Sequence, residues 1–186
     1  MKTIQLISNA LKHFKKICVH KLWVAKYCFK IGLYWQGIVH DLSKFSFTEF
    51  WESIHYYSGQ ESPINVCKRK NGYSKAWFHH RGRNPHHYEM WIDNFDNGGI
   101  ALEMPKKYVF EMICDYIGAA RAYMGDDFHW WRELEWWNHK KEKAKMHEKT
   151  KELVSYVFEK VACSNKKFSR ELLEEAWDYV HEAERR

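Results

Sequence analysis

Proline and glycine are scarce in this chain of 186 residues: three Pro and nine Gly leave little material for a sandwich or barrel built on many tight turns. Cysteine offers no framework either. Cys18, Cys28, Cys67, Cys114 and Cys163 are odd in number, scattered, and form no Cys-x-x-Cys pair, which excludes a zinc ribbon and argues against a secreted disulfide scaffold. Long apolar runs are missing as well. The most apolar window, Val24 to Val39, contains Lys26 and Lys30 and falls short of the ~20 residues a membrane span requires. The first apolar stretch is broken at Lys12, Lys15 and Lys16 and lacks a small-residue cleavage site, so no signal peptide is expected. A reducing cytoplasm with no membrane association is the expectation.

Acidic residues are absent from the first forty positions, where seven Lys stand, and 138–151 adds six Lys against Glu142 and Glu148. The net charge of +6 is therefore local. It suits an anionic partner without identifying one, and much of it reads as the wet faces of amphipathic helices. What the chain has in excess is histidine: twelve residues, more than packing needs.

Apolar periodicity predicts an all-α single domain. From Thr3 to Ile31 no Pro or Gly interrupts a three-to-four spacing through Ile7, Leu11, Phe14, Ile17, Val24, Cys28 and Ile31. A short helix follows through Trp35, Ile38 and Val39. Ser46-Phe47-Thr48-Glu49 is a capping-box pattern opening a helix to about Tyr57. Residues 59–73 read as a loop, Ser74 opens a helix ending before Gly82, and Asn84-Pro85 restarts a helical stretch with His86, His87, Glu89 and Trp91. Residues 93–104, centred on Asn97-Gly98-Gly99, are the one place for a small hairpin. Pro105 starts a helix to about Met124. Residues 126–137 are aromatic-rich and carry no clear pattern. Lys140–Ala162 and Arg170–Ala183 read as two more helices. No linker separates domains, so residues 1–125 form a helical core and 126–186 a helical extension on the same domain.

Four stretches put metal-ligand side chains on or beside these helices: His20; His40-Asp41-Leu42-Ser43-Lys44; His79-His80 through Asn84-Pro85-His86-His87 to Glu89; and Asp115 with Ala119 and Arg121. Imidazole and carboxylate together suit Mn, Fe, Co, Ni or Zn. Adjacent His and Asp point about 100° apart on a helix, so a consecutive pair serves one site only at a helix end or with unusual local geometry.

The ordered set His20, His40-Asp41, Lys44 and Asp115 resembles the HD-domain superfamily of all-α metal-dependent phosphohydrolases. It is most similar to a branch found in bacteria and phages, with His-Asp-Leu-Ser-Lys and Asn-x-His-His motifs. The resemblance covers roughly residues 13–125. It implies His20, His40, Asp41 and Asp115 as core ligands and His80, His86 and His87 as further ligands. His80 is preferred to His79 on its spacing to the Asn-x-His-His. One or two divalent metals per chain follow. Only five residues separate His80 from His86, and no Gly-Tyr-Pro element is present, so a cyclic-dinucleotide phosphodiesterase is not implied.

The expected function is a hydrolase that cleaves a phosphoester of a nucleotide-like substrate, with Asp41, Lys44 and Glu89 catalytic and Lys44 and Arg121 holding phosphate. Two alternatives stand beside it: a di-iron oxygenase using His20, His40, His80, His86, Asp41 and Asp115, and a nucleic-acid or partner-binding protein with a structural metal. His13, His55, His79, His129, His139, His147 and His181 need no function, although His13 lies two turns before His20 on one helix face. The pairs Trp130-Trp131 and Trp136-Trp137 cannot all face one interior, and are divided between core and an interface such as a homodimer contact.

Overall fold

The computed structural model describes residues 2–164 and 166–182. Within them the chain is all-helical apart from one very small hairpin. The uninterrupted first segment forms α1 (Lys2–Lys30). Its C-terminal half turns Ile17, Val24, Cys28 and Ile31 inward, whereas Ile7, Leu11 and Phe14 of the same apolar stripe are exposed. Gly32, at φ +78°, reverses the chain into α2 (Tyr34–Val39). A 3-10 turn (Leu42–Phe45) leads to α3 (Phe47–His55).

Residues 59–73 are not merely a loop. They hold α4 (Pro63–Asn71), with Pro in the first turn and Gly72 at φ +81° after its end, the paired start and stop signals that the loop expectation passed over. Helix α5 (Lys75–Arg81) is capped by the Ser74 side chain, which accepts from the Trp77 N–H at 3.0 Å. The helix expected after Pro85 is absent: residues 88–91 form a 3-10 turn. The hairpin is confined to β1 (Ile92–Asp93) and β2 (Ile100–Ala101), antiparallel, with Ile92 opposite Ala101. Next come α6 (Lys106–Met124), α7 (Trp130–Lys143), α8 (Glu148–Cys163) and α9 (Arg170–His181). The helix expected over Lys140–Ala162 is thus split between α7 and α8, because Ala144 and Met146 leave helical geometry and bury themselves in the core. Ala183 lies outside the described residues.

Helix α6 is the axis of the fold. Eleven of its residues are buried, and it packs along α1 more extensively than any other two elements pack together. Gly118 makes that approach possible: a Cβ there would stand 2.4 Å from Val24 Cγ2 and 3.0 Å from its backbone nitrogen. The close contact sets His20 of α1 beside Asp115 of α6. One core cluster runs from Val24 through Ile113 and Trp137 to Val180, so the segment after residue 125 shares the interior of the preceding helices. The tryptophan pairs are only partly interior. Trp137 is fully buried and donates to Ser155 Oγ at 2.9 Å, while Trp131 and Trp136 remain 55% and 41% exposed. Among the described residues no helix is long and apolar enough to cross a membrane.

Candidate metal centre

The His40-Asp41 pair escapes the divergence a helix would impose because α2 has already ended. His40 adopts φ −46°, ψ 125°, and Asp41 lies in the left-handed region at φ 54°, ψ 26°. That conformation costs an L-residue roughly 1–2 kcal/mol, least for Asp and Asn, and it turns both side chains to the same place. Lys21 of α1 donates to the carbonyl of His40 and, at 3.4 Å, to that of Ile38, tying the bend to the helix that carries His20.

Asp41 is fully buried at the centre. Its Oδ2 lies 3.4 Å from His20 Nε2 and 3.3 Å from His40 Nε2. Its Oδ1 lies 3.2 Å from His80 Nε2 and 3.4 Å from His86 Nε2. Asp115 closes the first side, with Oδ1 3.1 Å from His20 Nε2 and 3.3 Å from His40 Nε2. Two groups share Asp41, each with donor atoms within 4.8 Å of one another: His20, His40, Asp41 and Asp115, and Asp41, His80, His86 and His87; a third, His40, His86 and Glu111, adjoins them.

These donors fit a metal. Two ligands about 2.1 Å from one ion stand about 3.0 Å apart at a right angle and about 3.4 Å apart at the tetrahedral angle, the spacing found here. Among the described residues, ten buried side-chain atoms make no hydrogen bond, and six of them are in this cluster: Nε2 of His20, His40, His86 and His87, and both Oδ atoms of Asp41. Unsatisfied polar atoms cost about 1–3 kcal/mol each when buried, and of these six only Asp41 Oδ2 meets a lysine ammonium, that of Lys44, so the convergence suits a shared cation. The clusters can hold a metal ion.

A ring of carboxylates supports the imidazoles from behind. Glu111 Oε1 lies 3.0 Å from His40 Nδ1 and 3.1 Å from His86 Nδ1. Glu49 takes His80 Nδ1 at 2.7 Å and His79 Nδ1 at 2.6 Å. The contacts to His40, His86 and His80 fix those rings with Nε2 toward Asp41, the usual support of a metal-binding histidine, whereas His79 stays outside the cluster. Neither glutamate was expected in the site. Glu49 was read as half of a capping box, and the Ser46 half exists, accepting from the Glu49 N–H at 3.4 Å, but its carboxylate goes to the histidines. Glu111 lies one turn before Asp115, a second acid in an otherwise apolar stretch, and that was a usable signal. Glu111→Ala is expected to weaken metal binding about 10–100-fold, with Glu111→Gln in between. Chelator competition measures it, and unchanged affinity in the Ala variant would remove Glu111 from this role.

Charge follows this geometry. Burial opposes ionisation of Asp41 and Asp115, yet the neighbouring His40 and the bonds from His20 outweigh it and hold both well below the usual carboxylate range. Burial also opposes charge on His80, but Asp41 and Glu49 raise it to about 9. His87 goes the other way, held well below the ordinary histidine value by burial and then by His86 and His80, so its Nε2 is a neutral donor.

A cavity of about 180 Å³ opens beside His20, His80 and Asp115. Lys44 is in its wall, 2.5 Å from Asp41 Oδ2. Burial works against its ammonium, but Asp41 and Asp115 raise its pKa above the ordinary value. Lys16 and His13 line the same space. His13, assigned no function from sequence, is buried with Nδ1 unpartnered, and burial and the charge of Lys44 lower it to about 4.

Two expected site residues are elsewhere. Six helical residues beyond Asp115, about 600° of rotation, Arg121 is turned away. It donates to Tyr27 OH at 3.3 Å and lies over Phe128, 4.0 Å from the ring centroid. Glu89 sits on the 3-10 turn that replaces the expected helix and belongs to neither ligand group nor the cavity wall.

The site therefore defines an all-helical protein with a buried histidine–carboxylate cluster able to hold metal. The chain belongs to DUF5662, a family of unknown function whose model matches residues 9–160, through α7 and into α8. No curated protein and no solved structure matches it.

Proposed function

We propose that the protein is a dinuclear metal-dependent phosphohydrolase of the HD type, whose two divalent ions would be held by the residues grouped on either side of Asp41. The observation that carries this reading is the division of Asp41: one oxygen faces His20 and His40, the other His80 and His86. The order His20, His40-Asp41, Asp115 along the chain supports it through its resemblance to that superfamily. His20, His40 and Asp115 would complete one ion's ligands, and His80, His86 and His87 the other's. When bound, such metals polarise a phosphoryl oxygen and supply water acidic enough to act as a nucleophile near neutral pH.

The chain's own residues do the rest. Lys44 and Lys16 place positive charge on the cavity wall, where phosphate oxygens gain charge as the P–O bond to water forms and the ester P–O bond breaks. Lining the same cavity, His13 stays neutral beside Lys44, so it adds no charge there, and the departing alkoxide takes its proton from water. Ile17 and Trp77 give the cavity an apolar side.

The test is phosphate release from p-nitrophenyl phosphate and a nucleotide panel with added Mn, Co or Ni. Lys44→Met is expected to lower kcat/KM by about 10²–10³ at unchanged metal content. Protein shown by elemental analysis to be loaded, yet inactive with every metal and substrate, would refute the reading. The same six ligands would serve a di-iron oxidation centre, a reading favoured by their tally of four His and two Asp; two irons per chain with oxygen consumption would establish that instead.

A further inference from the structure

A second cavity, about 340 Å³, lies between the start of α4, the C-terminal half of α6 and α7, and shares Ser62, Ala119 and Tyr123 with the metal-side cavity as a common wall. Ala119 and Tyr123 stand one and two turns of α6 beyond Asp115, about 6 and 12 Å along the axis. Glu133 of α7 lines the outer cavity. It is only 3% exposed, and among the described residues its carboxylate makes no hydrogen bond or ion pair, its backbone N–H donating to the His129 carbonyl at 3.4 Å. Its neighbours there include Tyr116, Tyr123 and Trp136, with Gln60 and Asn65 at the polar side.

We propose that the outer cavity binds the cationic group of an amine-bearing phosphate ester whose phosphate lies in the inner cavity, with Glu133 as counter-ion and Tyr123 and Trp136 as aromatic walls. The cation half of this inference stands on the outer cavity alone; the phosphate half rests on the phosphohydrolase reading.

A carboxylate taken out of water needs a positive partner or hydrogen bonds, and this one has neither. Lys140, seven residues on along α7, lies instead over the rings of Tyr88, Tyr116 and Trp136, 5.5, 5.4 and 5.4 Å from their centroids, and Lys16 lies over Tyr123 at 4.7 Å, so a ligand cation would meet the opposite faces of Tyr123 and Trp136. Burial and the negative charge of Asp115 push the Glu133 carboxyl up to about 8, the mark of an acid short of a cation. Aromatic faces beside a carboxylate recognise ammonium groups, and desolvation strengthens that attraction. A nucleobase would also stack on Trp136, but it brings no formal positive charge for Glu133. Lys44 lies at the metal end, and Glu133, largely protonated at neutral pH until a cation enters, lies at the other, which matches a phosphate and an amine a few bonds apart.

The experiment is calorimetric titration of the full chain with tetramethylammonium chloride, against sodium chloride at equal ionic strength, followed by competition between choline phosphate, butyl phosphate and AMP. Saturable tetramethylammonium binding is expected with or without chelator, weakened at least about tenfold in Glu133→Gln. In the unmodified, metal-loaded chain, choline phosphate should bind at least about tenfold tighter than butyl phosphate, which needs no variant to read. Absent tetramethylammonium binding, or binding indifferent to Glu133→Gln, overturns the cation site. Equal binding of choline and butyl phosphates overturns the link between the cavities, and preference for AMP overturns the choice of an amine over a base. Failure of the hydrolase reading would look different: no phosphate release from any ester, with tetramethylammonium binding intact.

Discussion

Asp41→Ala is expected to yield a protein that retains little transition metal and loses more phosphate release than the 10–100-fold that follows loss of an outer supporting partner. Both oxygens of this carboxylate face imidazole nitrogens, so one truncation removes a ligand from each ligand group. Stability should fall as well. Asp41 also sits against Lys44 in the interior, and removing one member of a buried charge pair typically costs about 3–5 kcal/mol. Alanine adds strain at φ 54°, which would confuse the two effects. Asp41→Asn separates them, because asparagine accepts the left-handed conformation nearly as well as aspartate and keeps one oxygen as a weaker donor. The Asn variant should therefore fold and still fall below one metal per chain by elemental analysis. Full metal content and full activity in Asp41→Asn would show that the carboxylate is not a ligand.

The residues of the candidate cluster were legible in the sequence because they are spaced by helices. His20 lies on α1, Asp115 on α6, and the predicted spans of both helices match the structure closely. The His40-Asp41 bend was expected only as a geometric necessity; its solution, an aspartate in the left-handed region, depends on where α2 stops. What escaped notice was support, and for a physical reason. The role of Glu49 is decided by α5 packing on α3, a tertiary contact that overrides the local capping rule. Glu111 was more accessible, since a carboxylate within the run Val109–Gly118, every residue of which is buried, must find a partner. Arg121 and Glu89 failed differently. One was placed by proximity in sequence without counting helical rotation, and the other by a helix that is a 3-10 turn. His13 was the reverse case: its seven-residue spacing from His20 did put it on the side of α1 that faces the cavity.

Protein stripped of metal is expected to lose stability as pH rises from 6 to 9.5. The sign follows from the raised histidines. His80 is lifted to about 9 by Asp41 and Glu49 against the opposing effect of burial, and His40 is likewise raised, by Asp41, Asp115 and Glu111. A group whose pKa is higher folded than unfolded stabilises fully below its unfolded value near 6.5, and that contribution disappears as pH climbs through the folded one. For His80 it amounts to at most about 3 kcal/mol, which in a chain of this size lowers Tm by about 5–10 °C. Acid gives the mirror image. Asp41, Asp115, Glu49 and Glu111 are depressed, so their contribution is complete above the ordinary carboxylate range near pH 4 and is lost as pH falls below it. These are the same pairs seen from the other partner, and the two effects are not to be added. Metal reverses the basic limb, because it needs neutral imidazole and displaces the protons that hold the cluster together without it. The gain in Tm on adding cobalt should therefore be smaller at pH 6 than at pH 9, in parallel scans with chelator and with metal. A stripped protein that melts equally at both, or a metal increment that shrinks with pH, would mean that the histidines do not titrate against the carboxylates they face.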